Sequence, residues 1–123
     1  MLTNFRRFQA SDPFDRSWDV EFRWHQNGIS IRHADTVDCK FWLTTQDEKL
    51  ERVVALEHKH LLKLAAQAGR AVTDAWVIKL AALHMHHMVV TWEDMEKVLV
   101  TVPYPEMERY NAMLVEAASE QEV

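Results

Sequence analysis

Apolar and polar residues alternate strictly in the segment Ser17–His25, and this pattern constrains the fold more than any other feature of the chain. The apolar positions are Trp18, Val20, Phe22 and Trp24. Successive side chains of a β-strand point to opposite faces, so the pattern predicts a half-buried strand. We expect its apolar residues to face the core and its charged residues to face outward.

The dipeptide Asn27-Gly28 follows this strand and is typical of a type I′ turn, which needs positive φ at both central residues. A two-residue loop at this position predicts a hairpin whose second strand covers residues 29–34. In that register Arg23 would lie opposite Arg32 on the outward face.

Two later segments also have strand character. Residues 37–44 alternate again, and residues 50–56 are rich in apolar, partly β-branched residues. The capping-box pattern from Thr45 to Glu48 leaves a helix over 45–57 as an open alternative. We favour the strand, which completes an antiparallel meander.

Helical periodicity replaces the alternation in the second half. It predicts helices at about 58–68, 74–91 and 105–118. Gly69 is a suitable C-cap for the first of them, and Thr73 is a suitable N-cap for the second. The run 94–102 fits a short helix or a strand, and we favour the helix.

Together these patterns predict one α+β domain over residues 1–123. An N-terminal antiparallel meander of three or four strands, at about 17–56, would be followed by three or four helices, at about 58–118, packed on one face. We expect residues 1–12 and 119–123 to be flexible.

Charge and composition narrow the function classes. The net charge is −5, and residues 105–123 contain five acids against one base, which disfavours a nucleic-acid partner. The chain has two glycines and one cysteine, Cys39, so it has no Gly-rich phosphate loop, internal disulfide or cysteine-held metal cluster. No apolar segment is long enough to cross a membrane, and the N-terminus does not resemble a signal peptide. We therefore expect a cytoplasmic protein with no membrane partner.

Three histidines and two methionines lie together at residues 84–88, inside the central predicted helix. Residues three or four apart share a helix face, so His84, His87 and Met88 could converge. Glu57 and His60 have the same spacing in the preceding segment. This set could bind a transition metal through nitrogen, carboxylate and thioether ligands. The competing interpretation is neutral histidines hydrogen-bonded within the fold or at a subunit interface.

A second candidate site lies on the outward face of the meander. Aromatic and arginine side chains together are typical of protein interfaces, and a solvent-facing strand rarely carries a tryptophan. The candidate interface residues are Arg23, His25, Arg32, Lys40, Trp42 and Trp92. The competing interpretation is a solvated face whose charges pair with one another.

Elimination favours a small cytoplasmic accessory or regulatory subunit that acts through protein–protein contacts, either as a homo-oligomer or on a larger protein. The first alternative is a metal- or cofactor-binding protein centred on the histidine-rich helix. The second is an enzyme with a small-molecule pocket. No nucleophile motif is recognisable, so the sequence leans away from an enzyme.

Overall fold

A five-stranded sheet in the order β1-β2-β3-β4-β5 forms the framework of the computed structural model, which describes residues 2–28 and 35–121. The helices of this part of the chain lie on one face of the sheet. In chain order the elements are β1 (Arg7–Ser11), β2 (Ser17–Gly28), β3 (Thr36–Thr44), β4 (Lys49–Glu57), α1 (His58–Ala68), α2 (Asp74–Thr91), β5 (Leu99–Thr101) and α3 (Tyr104–Gln121). The predicted α+β fold with an N-terminal meander is thus confirmed.

Strands β1 to β4 are antiparallel neighbours, whereas β5 is parallel to β4. Parallel neighbours need a crossover connection, and α1 and α2 supply it. The crossover places α2 against the sheet, where almost all of its apolar side chains are buried. The face of the sheet that packs against the helices is called the inner face below, and the opposite one the outer face.

Several local predictions are confirmed. The alternation in β3 buries Val37, Cys39, Phe41 and Leu43, and the segment predicted as a strand at 50–56 is β4. Helix α1 ends at Gly69, whose φ of 65° is the left-handed conformation that glycine adopts without strain. Helix α2 begins after Thr73, whose side chain accepts a hydrogen bond from the Trp76 backbone N–H.

The predicted turn at Asn27-Gly28 is wrong. Strand β2 continues through Gly28, which lies opposite Thr36, and β3 is its hydrogen-bonded neighbour. The predicted strand at 29–34, including Arg32, lies outside the described residues. The preference of Asn-Gly for a tight turn is local. The nine paired positions of β2 and β3 match the buried faces of the two strands, and this register places Gly28 within the strand.

The direction of two side chains in β2 also corrects the sequence analysis. The register shifts between Phe22 and Trp24, which makes Arg23 the extra residue of a β-bulge. Beyond the bulge Trp24 lies opposite Lys40 on the outer face, and His25 lies opposite Cys39 on the inner face. Strict alternation predicted Trp24 on the inner face and His25 on the outer face, because it does not account for the extra residue of a bulge.

The two edge strands were both missed. Residues 1–12 were expected to be flexible, but β1 pairs with β2 and buries Phe8 and Ala10. The helix favoured at 94–102 is also wrong, since Leu99–Thr101 form β5. Its partner in β4 lies more than forty residues earlier in the chain, so no local window contains the pairing. Helix α3 reaches Gln121, beyond the predicted end at 118.

Candidate functional site

An apolar stripe crosses the outer face at right angles to the strands. Registers across four neighbouring strands align Trp24 of β2, Lys40 of β3, Val53 of β4 and Leu99 of β5. We call these four residues the apolar stripe. Trp24 is 39% exposed and Leu99 is 52% exposed, so the stripe is open at both ends. Lys40 is mostly covered, and a lysine stem in such a position adds methylene surface to its apolar neighbours.

Trp42 lies in the next row of the outer face, opposite Glu21 and Glu51. Two cations cover its ring: the Arg23 guanidinium is 3.9 Å from the ring centroid, and the Lys49 ammonium is 3.7 Å from it. The indole Nε1 is buried and has no hydrogen-bond partner among the described residues. Trp42 is therefore half-covered by its own neighbours, in a cation–π arrangement.

The charges around these rings balance one another. Four bases and four acids of the outer face surround Trp24 and Trp42: Arg7, Arg23, Lys40 and Lys49, with Asp19, Glu21, Asp38 and Glu51. Three ion pairs are formed, between Arg7 and Asp19 at 2.8 Å, between Arg23 and Glu21 at 2.8 Å, and between Lys40 and Glu51 at 3.2 Å. Such exposed pairs contribute about 0–1 kcal/mol each to folding, so they set the charge of the face more than its stability.

The predicted interface residues divide into two groups. Arg23, Lys40 and Trp42 do lie together on the outer face. His25 does not: it is on the inner side of β2, and its Nε2 is 3.4 Å from an Asp74 carboxylate oxygen of α2. Trp92 is also elsewhere, because it is the left-handed C-cap of α2.

Trp92 takes part in a packed junction that sequence reasoning missed. Its ring lies 5.8 Å from that of Trp18, and the Arg16 guanidinium is 5.0 Å from the Trp92 centroid. Buried Asp12 accepts hydrogen bonds from Arg16 Nε at 2.7 Å and from Trp18 Nε1 at 2.9 Å. Burial raises the pKa of Asp12, but its hydrogen bonds from Trp18, Arg16 and the Phe14 backbone outweigh burial and lower the pKa to about 2. Packing against Trp18 and Arg16 within the fold therefore accounts for the tryptophan at position 92.

The predicted metal ligands do not converge. His60 Nδ1 lies 3.1 Å from Glu57 Oε2, and His87 Nε2 lies 3.1 Å from Glu93 Oε2, but these are separate pairs. Met88 is buried in the core. Within residues 2–28 and 35–121, no three His, Cys, Asp or Glu side chains are grouped as a metal site requires. The structure therefore does not bring residues 57, 60, 84, 87 and 88 together in one cluster, because spacing shows a shared helix face and not the relative placement of two helices.

His84 instead belongs to the helical core. Its Nδ1 is 2.7 Å from the Tyr110 hydroxyl of α3, and its Nε2 is buried with no partner in the described part of the chain. Burial, followed by the neighbouring His87, lowers the pKa of His84 to about 4, so the ring is neutral at physiological pH. The competing interpretation of a locally bonded neutral histidine describes this residue.

Cys39 does not provide a nucleophile. It is fully buried in β3, and burial, with smaller contributions from Asp38 and Asp74, raises the pKa of its thiol to about 12. A thiolate is the reactive form of cysteine, so this residue serves packing.

Comparisons of the chain with protein-family models, with curated proteins and with solved structures found no match. No described helix combines the length and the apolar character needed to cross a lipid bilayer.

Proposed function

We propose that this protein is a small accessory or regulatory module that acts through protein–protein contacts at the outer face of its sheet. The observation that carries the proposal is the apolar stripe. Its two open ends expose a tryptophan and a leucine on a sheet face that no described helix covers. An exposed tryptophan beside arginine is typical of the residues that contribute most to protein interfaces, and Leu99 adds apolar area at the other end of the stripe.

The charge of the outer face indicates which kind of partner fits. The four bases and four acids around Trp24 and Trp42 sum to zero, whereas the whole chain carries −5. A neutral patch of alternating sign does not attract the phosphate backbone of a nucleic acid. It can pack against a surface that also carries equal numbers of positive and negative charges. A second copy of the same face is such a surface.

We therefore favour self-association, in which two outer faces pack with stripe against stripe about a twofold axis. In such an isologous contact, each acid of one copy can lie near a base of the other. Sheets that pack face to face lie about 10 Å apart, which brings side chains as large as Trp24 and Leu99 into contact.

We also propose that the protein is located in the cytoplasm. Cys39 is a buried free thiol in the core, and the fold uses no disulfide between described residues. A reducing compartment is compatible with this arrangement.

Sedimentation velocity over a range of protein concentrations tests the proposed function. We expect the wild-type chain to sediment as a dimer at high concentration and the double variant Trp24→Ser/Leu99→Ser to sediment as a monomer. The matched control is Val115→Ser on α3, which removes a side chain that is 56% exposed but lies off the sheet, and it should dimerise like the wild type.

Two outcomes separate the possible partners. The first outcome is a monomeric wild type that cross-links to a specific protein in cell extract. If the control also cross-links to that protein and the stripe variant does not, the partner is a different protein. If the stripe variant, the control and the wild type behave alike in both measurements, the outer face is not an interface and the proposal fails.

A further inference from the structure

A cavity of about 240 Å³ lies between α2 and α3, apart from the outer face. Its lining comes from the α1–α2 connection and from these two helices, and includes Arg70, Thr73, Trp76, Lys79, Asn111 and Leu114. None of the residues that line it is an Asp or a Glu. In a chain of net charge −5, a cavity with two bases and no acid is a distinct chemical environment.

Asn111 is the polar group built into this cavity, with only 8% of the residue exposed. Its Oδ1 accepts a hydrogen bond from the Trp76 indole Nε1 at 3.0 Å. An indole nitrogen can only donate, so this bond fixes which end of the amide faces Trp76. The Nδ2 group is the other end of the same amide and carries two donor hydrogens.

The other polar groups of the cavity are donors as well. The Arg70 guanidinium lies 4.6 Å from the centroid of the Trp76 ring, and its Nε donates to the Ala71 carbonyl, so its terminal nitrogens remain as donors. Lys79 lines the cavity one turn further along α2, and its ammonium is 5.5 Å from the Phe5 ring centroid. Neither base forms an ion pair with a carboxylate of the described chain. Thr73 Oγ1 accepts from the Trp76 backbone N–H, which leaves its hydroxyl hydrogen free to donate.

We propose that this cavity binds a compact organic anion. Asn111 Nδ2, Arg70 and Lys79 would donate to its carboxylate or phosphate head group, because hydrogen bonds to charged acceptors are the strongest that these groups form. The apolar part of the ligand would lie against Trp76 and Leu114. Ligand pockets usually have a volume of roughly 300–1,000 Å³, so a smaller cavity selects a ligand about the size of a single ring.

Titration of the isotope-labelled full-length chain with three probes tests the proposal by NMR. Benzoate and phenyl phosphate carry the two candidate head groups, and benzamide is the uncharged analogue of benzoate. We expect saturable shifts of the Trp76 indole and Asn111 amide signals with at least one of the two anions, and the tighter anion identifies the head group. Binding of benzamide as tight as that of benzoate, or no saturable shift with either anion, would overturn the proposal.

Two variants then locate the site. Asn111→Asp keeps an oxygen for the Trp76 indole but replaces the donor group by a negative charge, and Lys79→Gln removes a base from the exposed side of α2. Each should weaken anion binding by about tenfold or more, since each variant removes a donor to a charged acceptor. The control Lys97→Gln changes the net charge equally, outside the cavity, and should bind like the wild type. Equal affinity of Lys79→Gln and Lys97→Gln would show that the anion does not bind in this cavity.

Discussion

The tryptophans of the inner and outer regions of this molecule are held in opposite ways. Trp18 and Trp76 are almost completely buried among the sheet and helices, and each indole N–H donates to a fixed side-chain oxygen, of Asp12 and Asn111 respectively. On the outer face Trp24 is exposed, and Trp42 is covered by Arg23 and Lys49 without an acceptor for its N–H.

This difference separates two uses of the same residue type. A buried indole with a fixed acceptor contributes both apolar area and a satisfied polar group, so it supports the framework. An indole covered only by flexible cations can be uncovered at little cost, because Arg and Lys side chains move. The outer tryptophans are therefore suited to contact with another surface, and the inner ones are not.

The largest expected effect is on Trp18. Trp18→Ala should lower the free energy of unfolding by about 3–5 kcal/mol, because it opens a cavity and removes a hydrogen-bond donor from Asp12. Urea denaturation measures this loss. Trp24→Ala, on the outer face, is the matched control and should lose far less. Equal losses for the two variants would remove the distinction between the regions.

Asp12 gives the next largest effect. Asp12→Asn should cost about 2–3 kcal/mol at neutral pH, because it weakens charge-assisted hydrogen bonds from Arg16 and Trp18. The pKa of Asp12 is lowered from its ordinary value of 3.8 to about 2, so its contribution is complete above pH 4 and is lost as the pH falls through 2. The difference between wild type and variant in urea denaturation should therefore shrink over this window. A difference that is constant down to pH 2 would contradict the assignment.

His84, within the helices, should also make stability depend on pH. Burial disfavours its charged form, whereas hydrogen bonds favour the charged form of Asp12. The pKa of His84 is lowered from 6.5 to about 4, so the unfolded chain takes up a proton that the folded chain excludes. Stability should therefore fall as the pH drops from 6.5 to 4, by up to about 1.4 kcal/mol per pH unit from this group. In His84→Gln this part of the pH dependence should disappear, whereas His58→Gln on α1 should retain it. Parallel curves for both variants would show that other groups cause the loss.

The smallest expected effect is on Trp42. Trp42→Ala should change the free energy of unfolding by about 1 kcal/mol or less, since the ring loses mainly partly exposed cation–π contacts. Self-association, measured by sedimentation, should weaken by comparison with the wild type. A sharply lowered melting temperature with unchanged sedimentation would place Trp42 in the framework instead.

Prediction from the sequence succeeded for most local signals, the Asn27-Gly28 turn being the exception, and it failed where the partner is distant. The alternation in β3, the Thr73 cap and the Gly69 cap each occupy a few neighbouring residues, and each was identified correctly. The pairing of Val53 with Leu99 is not local, so β5 was mistaken for a helix. The candidate site shows the same division: Arg23, Lys40 and Trp42 were recognised as outward-facing, whereas Trp24 was not, since only the bulge at Arg23 turns it outward.

The sequence by itself determined which segments are strands or helices over most of the chain, because side-chain periodicity and end-capping are set by a few adjacent residues. Only the tertiary structure decided that Asp12 binds Trp18, that Asn111 binds Trp76, and that His60 and His84 lie in separate pairs. The physical reason is that these contacts join elements whose relative placement follows from packing of the whole core. The surfaces proposed to bind a partner and an anion both arise at that level.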